Sequence, residues 1–177
     1  ADGGRYLTVD GPRPFEVVTE TIRVKGGEPE LLEVRETVWG PVIEPDHAGR
    51  PRAIKWLAHA LDELPVKPRM LDRAETLEEA MALANGVGTP PQNVVIADRD
   101  GRIGRTIMGR IPRPPNYDRA RPVPWREAGP GWQGWLEPSD YPRIVDPPGD
   151  RIWTANARVV DGEALTLLGN GGYALGA

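Results

Sequence analysis

The stretch Gln92-Asn93-Val94-Val95-Ile96-Ala97-Asp98-Arg99-Asp100-Gly101-Arg102-Ile103-Gly104-Arg105-Thr106-Ile107-Met108 decides how this chain is read. Two runs rich in Val, Ile and Thr favour extended backbone, and they flank a polar tetrapeptide ending in glycine. Asp98-Arg99-Asp100-Gly101 has the residues a tight reversal needs, so the stretch predicts an antiparallel hairpin. Two aspartates around a glycine could also open a calcium loop. The ligand series does not continue and no terminal glutamate closes it, so the hairpin is the favoured reading.

Upstream lies the clearest helix signal. Thr76 fits an N-cap with Glu79 three positions on, and Leu77, Ala80, Met81 and Ala84 fall on one face. Asn85-Gly86 supplies a stop. The first third reads as sheet. Phe15–Val24 and Leu31–Val38 are strand-like runs around the turn Gly26-Gly27-Glu28-Pro29, a second predicted hairpin. Thr37-Val38-Trp39-Gly40-Pro41-Val42-Ile43 is expected to continue the strand through a Gly-Pro bend or edge. A short strand is expected at Ala53–Leu57.

Residues 109–150 are rich in proline and glycine and carry Trp125, Trp132 and Trp135. A disordered linker normally lacks the apolar groups that offset its ordering entropy, so this segment predicts an ordered loop pinned by aromatic anchors. No regular Pro-x-x-Pro array develops that would make it a recognition peptide. Arg151–Leu168 is expected to resume as strand.

The resulting fold class is α+β, mostly β with one or two helices. Its length of 177 residues fits one domain with a real core. The order along it is β-rich 1–58, helical 59–88, hairpin 89–108, loop 109–150, and strand with an abrupt end at 151–177. Lys+Arg 22 against Asp+Glu 26 gives a net charge of −4, no electrostatic footprint for nucleic acid or an acidic membrane. No apolar run approaches the roughly 20 residues of a membrane span, and Ala-Asp-Gly-Gly is not a signal peptide. With no cysteine, thiol chemistry, disulfides and cysteine-ligated zinc are excluded.

From residue 35 onward, six blocks in order carry a family signal. They are Arg35-Glu36-Thr37-Val38-Trp39-Gly40-Pro41-Val42-Ile43, then Gln92 through Gly104, then Gly109-Arg110-Ile111-Pro112-Arg113. Pro122-Val123-Pro124 and Trp132-Gln133-Gly134-Trp135 follow, and Asp146-Pro147-Pro148-Gly149 runs into Trp153-Thr154-Ala155-Asn156-Ala157-Arg158. Together they resemble the penicillin acylase (penicillin amidase) family of N-terminal-nucleophile hydrolases. The resemblance implies a four-layer αββα fold of which this is an internal fragment from the larger chain, and a periplasmic or secreted enzyme cleaved from a precursor.

It implies hydrolysis of a linear amide to a carboxylic acid and an amine. The serine that begins the larger chain attacks the carbonyl, with its own α-amino group as base; such an amine titrates at roughly 7.7–8.0, near working pH. By motif Asn156 resembles the oxyanion-hole asparagine of the family, whose side-chain N–H₂ faces the developing charge. The other reading of Asn156 is an asparagine that closes a strand by bonding the backbone.

The departures from the family pattern are specific. Ala1 has no nucleophilic side chain, so the nucleophile, the backbone oxyanion donor and most acyl-pocket residues are expected outside this segment, and the isolated segment is expected to be inactive. Trp39 stands where many members have histidine, and Ala157 where a second asparagine is common. The segment is expected to hold no cofactor. A calcium site of the parent enzyme would draw mainly on acids elsewhere, with at most a backbone carbonyl near residues 118–120. The expected partners are the remainder of the parent enzyme and a small amide substrate.

Two rival readings come from other classes. One is a non-catalytic extracellular binding module using the Trp-rich loop as an aromatic platform. The other is a self-contained hydrolase built on Ser139, the only serine, with His47 or His59.

Overall fold

A computed structural model describes residues 4–60, 68–113, 122–124, 127, 129, 131–155 and 160–168. The chain groups into two compact units where its length predicts one: Ala1–His59 with Arg121–Gly131, and Ala60–Ala120 with Trp132–Ala177. The Pro/Gly-rich loop contributes to both.

The first unit is organised by a turn that occurs twice. Thr8-Val9-Asp10-Gly11-Pro12 joins β1 (Arg5–Thr8) to β2 (Gly11–Pro14), and Thr37-Val38-Trp39-Gly40-Pro41 joins β4 (Glu30–Thr37) to β5 (Gly40–Ile43). In both, the threonine hydroxyl donates to the glycine carbonyl, at 2.8 and 2.7 Å, and accepts the N–H two residues on, at 3.2 Å. The glycines sit at φ 106° and 122°, where a side chain would be strained. At Gly40 a Cβ would also collide with the carbonyl of Ile54.

The expected bent strand over Thr37–Ile43 is therefore a reversal. Glu36 pairs with Pro41 and Thr37 with Gly40, because glycine at the fourth turn position lets the chain fold back. The β1–β2 hairpin carries two prolines, Pro12 and Pro14, residues that cannot donate to a ladder. In a two-residue hairpin they occupy alternate positions whose nitrogens face away from the partner strand.

β3 (Glu16–Ile22) and β4 form the hairpin predicted at the N-terminal third, in register from Glu16↔Glu36 to Ile22↔Glu30. β6 is only Arg52–Ala53, paired with β5, and a 3₁₀ turn at Leu57–His59 replaces the rest of the strand expected at 53–57. Tyr6, Phe15 and Trp39 pack together, with ring centroids 5.1 and 5.7 Å from Tyr6. The Tyr6 hydroxyl accepts the N–H of Val38 at 3.0 Å and so ties the two turns together.

In the second unit the helix α1 (Leu77–Asn85) lies on the hairpin of β7 (Gln92–Ala97) and β8 (Ile103–Met108). Thr76 caps it as the sequence predicts, its hydroxyl accepting the Glu79 N–H at 3.2 Å. The Glu79 carboxylate reaches back to the N–H of Glu75, one residue before the cap. Leu77, Met81 and Ala84 are buried, and Gly104 leaves room for them: a Cβ there would lie 3.1 Å from both Leu77 and Met81.

The β7–β8 turn closes itself. Asp98 Oδ1 accepts the N–H groups of Asp100 and Arg102, each at 3.0 Å, and Gly101 takes φ 84°. The same Asp-x-x-Gly-Arg pattern recurs at Asp46–Arg50, where Oδ1 accepts Ala48 and Arg50 N–H at 2.9 Å and Gly49 has φ 74°. A carboxylate oxygen engaged this way serves the turn.

β8 continues on its other edge to β9 (Ile144–Val145). Part of the Pro/Gly/Trp segment is ordered as predicted. Leu136 N–H bonds Ile111 at 2.9 Å, Arg113 N–H bonds Gly134 at 2.9 Å, and the Arg110 guanidinium stacks 4.4 Å from the Trp135 ring centre. Trp125 lies outside the described residues.

The core of this unit is Ile107, Ile111, Leu136, Tyr141 and Leu168, with Val160 against it. Leu168 belongs to α2 (Gly162–Leu168), a helix where strand was expected. Glu163, Ala164 and the leucines are good helix formers, and Glu163 in the first turn suits the helix dipole, so local propensity overrode the reading by continuity from Val159-Val160. Among the described residues no helix is long and apolar enough to cross a membrane.

Candidate functional site

Asn156, the residue the sequence singles out, lies outside the described residues together with Ala157 and Arg158. What the structure shows is how the chain leading to it is held. β9 ends at Val145, and Asp146 then takes φ 44°, in the left-handed region that an aspartate can adopt but rarely does. Its carboxylate explains why it stays there. Oδ1 accepts the Ile103 N–H at 3.0 Å, Oδ2 accepts Arg102 Nε at 2.9 Å, and its own N–H donates to Ile103 O at 2.9 Å.

Arg102 extends this clamp to α1. Its Nη1 and Nη2 donate to the two oxygens of Glu78 at 3.1 and 2.6 Å, a fork matched to a carboxylate. The backbone bond from Ile103, then Arg102, hold the Asp146 carboxyl below its ordinary range, and Arg102 does the same to Glu78. One arginine thus fastens a helix start, a hairpin turn and the Asp146-Pro147-Pro148-Gly149 block. A second left-handed residue, Asp150 at φ 51°, closes that block by donating its N–H to Pro147 O at 3.1 Å. Trp153 follows, 83% exposed.

A buried polar network supports the same region from inside. The Tyr141 hydroxyl accepts the Ile111 N–H at 2.9 Å and lies 3.0 Å from Gly109 O and 3.3 Å from Asn85 O as a donor. Burial raises its pKa, so it stays a neutral donor. The Asn85 amide donates to Thr106 Oγ1 and Ile107 O, and its oxygen accepts from Arg143 at 3.1 Å. Sequence reasoning missed these residues. Asn85 reads as a helix stop, and nothing in its neighbourhood signals a partner 56 residues away.

The rival serine site divides between the units. Ser139 belongs to the second and donates at 3.5 Å to Asp140 Oδ1, while His47 and His59 both belong to the first. His47 is exposed in the Asp46 turn, and His59 meets the Trp56 ring edge-on at 5.3 Å. Trp39 is buried and donates from Nε1 to Gly129 O at 2.9 Å, a structural setting. Trp132 and Trp135 are 6.5 Å apart, and the Arg110 guanidinium lies over the Trp135 ring. Among the described residues no group of three or more His, Asp or Glu side chains is placed to hold a metal; residues 118–120 lie outside them.

The model of the penicillin amidase family matches residues 1–174 of this sequence. The chain belongs to the penicillin amidase family. Among the relatives of this penicillin amidase segment is the penicillin acylase 2 proenzyme of a Pseudomonas species (strain SE83), 32% identical over 143 residues that make up 80% of this chain and 18% of that protein. The acyl-homoserine lactone acylase QuiP of Pseudomonas aeruginosa is 27% identical over an alignment of 182 positions, gaps included, that covers 95% of this chain and 21% of that protein. The chain thus spans about a fifth of the length of the curated relatives it matches. A thermostable penicillin G acylase from Alcaligenes faecalis superposes with a TM-score of 0.63 at 24% identity, covering 81% of this chain and 26% of that one. The fold, mostly β with two α-helices among the described residues, is accordingly that of a piece of a penicillin acylase, as the motif order predicts.

Proposed function

We propose that the polypeptide to which this segment belongs hydrolyses linear amides, releasing a carboxylic acid and an amine, and that Asn156 donates from its side chain to the oxyanion. The observation that carries this reading is the family match across residues 1–174. The amide nucleophile is a serine elsewhere in that polypeptide, activated by its own α-amino group. The remainder of the enzyme is therefore the partner of this segment, which has no turnover of its own. The enzyme works in the periplasm or outside the cell.

The geometry that favours the role of Asn156 is upstream of it. An oxyanion donor is useful only when preorganised, and the clamp of Arg102, Glu78 and Asp146 fixes the backbone from which the Asn156 segment departs. The test is amide hydrolysis by the complete polypeptide with phenylacetyl amides, penicillins and acyl-homoserine lactones as substrates. Asn156→Ala is expected to lower kcat about 10²–10³-fold with a much smaller change in KM. Unchanged kcat returns Asn156 to strand closure, and labelling of Ser139 by a fluorophosphonate probe moves the chemistry to that serine.

A further inference from the structure

Arg102 and Arg105, three residues apart, invert the usual relation between burial and charge. Arg102 keeps 40% of its side chain exposed and is met by two carboxylates. Arg105 is only 4% exposed, and its hydrogen bonds, from Nε at 3.3 Å and Nη2 at 2.9 Å, both go to one neutral acceptor, Asn93 Oδ1. Among the described residues no carboxylate lies within ion-pair distance of it. An ion buried without a counter-ion is costly, and burial indeed pulls the Arg105 pKa below its ordinary value.

The stereochemistry says what is missing. A guanidinium offers five N–H groups in one plane. Asn93 takes the edge formed by Nε and one hydrogen of Nη2, which leaves the end of the fork, one Nη2 hydrogen and both on Nη1, free to take two oxygens side by side. Directly across the two neighbouring strands stand Val95 and Ile144, on the same face of the sheet, 48% and 40% exposed. A single positive charge beside a neutral amide balances one negative charge, and the flanks are apolar.

We propose that Arg105 is the charged half of a carboxylate-binding site whose ligand carries an apolar body against Val95 and Ile144. Two sources offer that chemistry: a small aryl or alkyl carboxylate, or an Asp or Glu side chain on an apolar segment elsewhere in the polypeptide. The proposal concerns binding alone and stands or falls apart from the acylase reading.

The test is a titration of the chain, with its arginine side chains ¹⁵N-labelled, by sodium phenylacetate, with sodium acetate and sodium chloride as controls, followed at the Arg105 Nε–H resonance. A saturable shift with phenylacetate, weaker with acetate, absent with chloride and weakened by Val95→Ser, is the expected result. Arg105→Lys is expected to weaken binding more than 10-fold; should that variant not fold, the wild-type titration decides alone. A shift that fails to saturate, or is equal with chloride, overturns the proposal. Repeating the titration on the complete polypeptide separates the sources. Retained binding identifies a small-molecule site, and binding lost while the Arg105 resonance already sits at its shifted position identifies an internal carboxylate.

Discussion

The two long hairpins obey the same pairing rules and end in opposite circumstances. β3–β4 has strand-forming residues on both faces, yet Val17, Ile22, Leu31 and Leu32 are all exposed. β7–β8 is the more apolar pair, and it is covered as well: its Gly104 and Thr106 face is roofed by α1, and Ile107 on the opposite face is fully buried. A glycine contributes to the difference. Gly104 lets the helix come down on the strand, whereas among the described residues only short 3₁₀ turns, Leu57–His59 and Pro68–Arg73, lie between β3–β4 and α1. Pairing is local chemistry, and stability comes from what is laid over the pair.

Three substitutions test that contrast. The largest effect is expected at Met81→Ala. It empties a fully buried site under α1 and should cost about 2–5 kcal/mol of unfolding free energy, read by urea denaturation. A cost below about 1 kcal/mol would mean the roof over β7–β8 is loosely packed. A smaller effect is expected from Arg102→Gln, and it carries a pH signature. Glu78 and Asp146 have carboxyl pKa values lowered in the folded protein, so their contribution is present above the unfolded values near pH 4 and is lost as pH falls through the folded ones. Thermal melts of the wild type and the variant should therefore differ at pH 7 and converge toward pH 3. Melts that stay equally far apart at both values would assign the clamp to packing. The smallest effect is expected at Leu31→Ala, 72% exposed on β4, which should shift stability by no more than about 0.5 kcal/mol. A larger loss would show that the β3–β4 face is covered after all.

Much of this architecture was legible because it is short-range. Thr76 and Glu79 announce α1, and Asp98 with Gly101 announces the β7–β8 turn, since each donor and its acceptor lie within five residues. Of the two Thr-Val-x-Gly-Pro turns, the one at Thr37–Pro41 was misjudged: proline next to glycine was read as a bend or edge, while the threonine that closes the reversal went unweighed. α2 was lost to continuity with the β-branched residues before it. The polar hub at Tyr141 and Asn85 and the buried Arg105, which meets no carboxylate among the described residues, depend on what the fold brings together, and no periodicity encodes them. For the candidate site, Asn156 was singled out by motif alone, and it lies outside the described residues. The left-handed Asp146 ten residues before it was not readable, because a left-handed aspartate has no sequence mark of its own.

The self-closing turns set the order in which order is affordable in entropy. Each binds an aspartate or threonine to groups within four residues, whereas the Tyr141 hydroxyl reaches Asn85 across 56. By the logarithmic cost of loop closure, the longer link is about 2 kcal/mol harder to make in an unfolded chain. That is more than one ordinary hydrogen bond returns, roughly 1 kcal/mol. The hub therefore leans on what closes within its own loop, where the Asp98 turn brings β7 and β8 together before Tyr141 arrives.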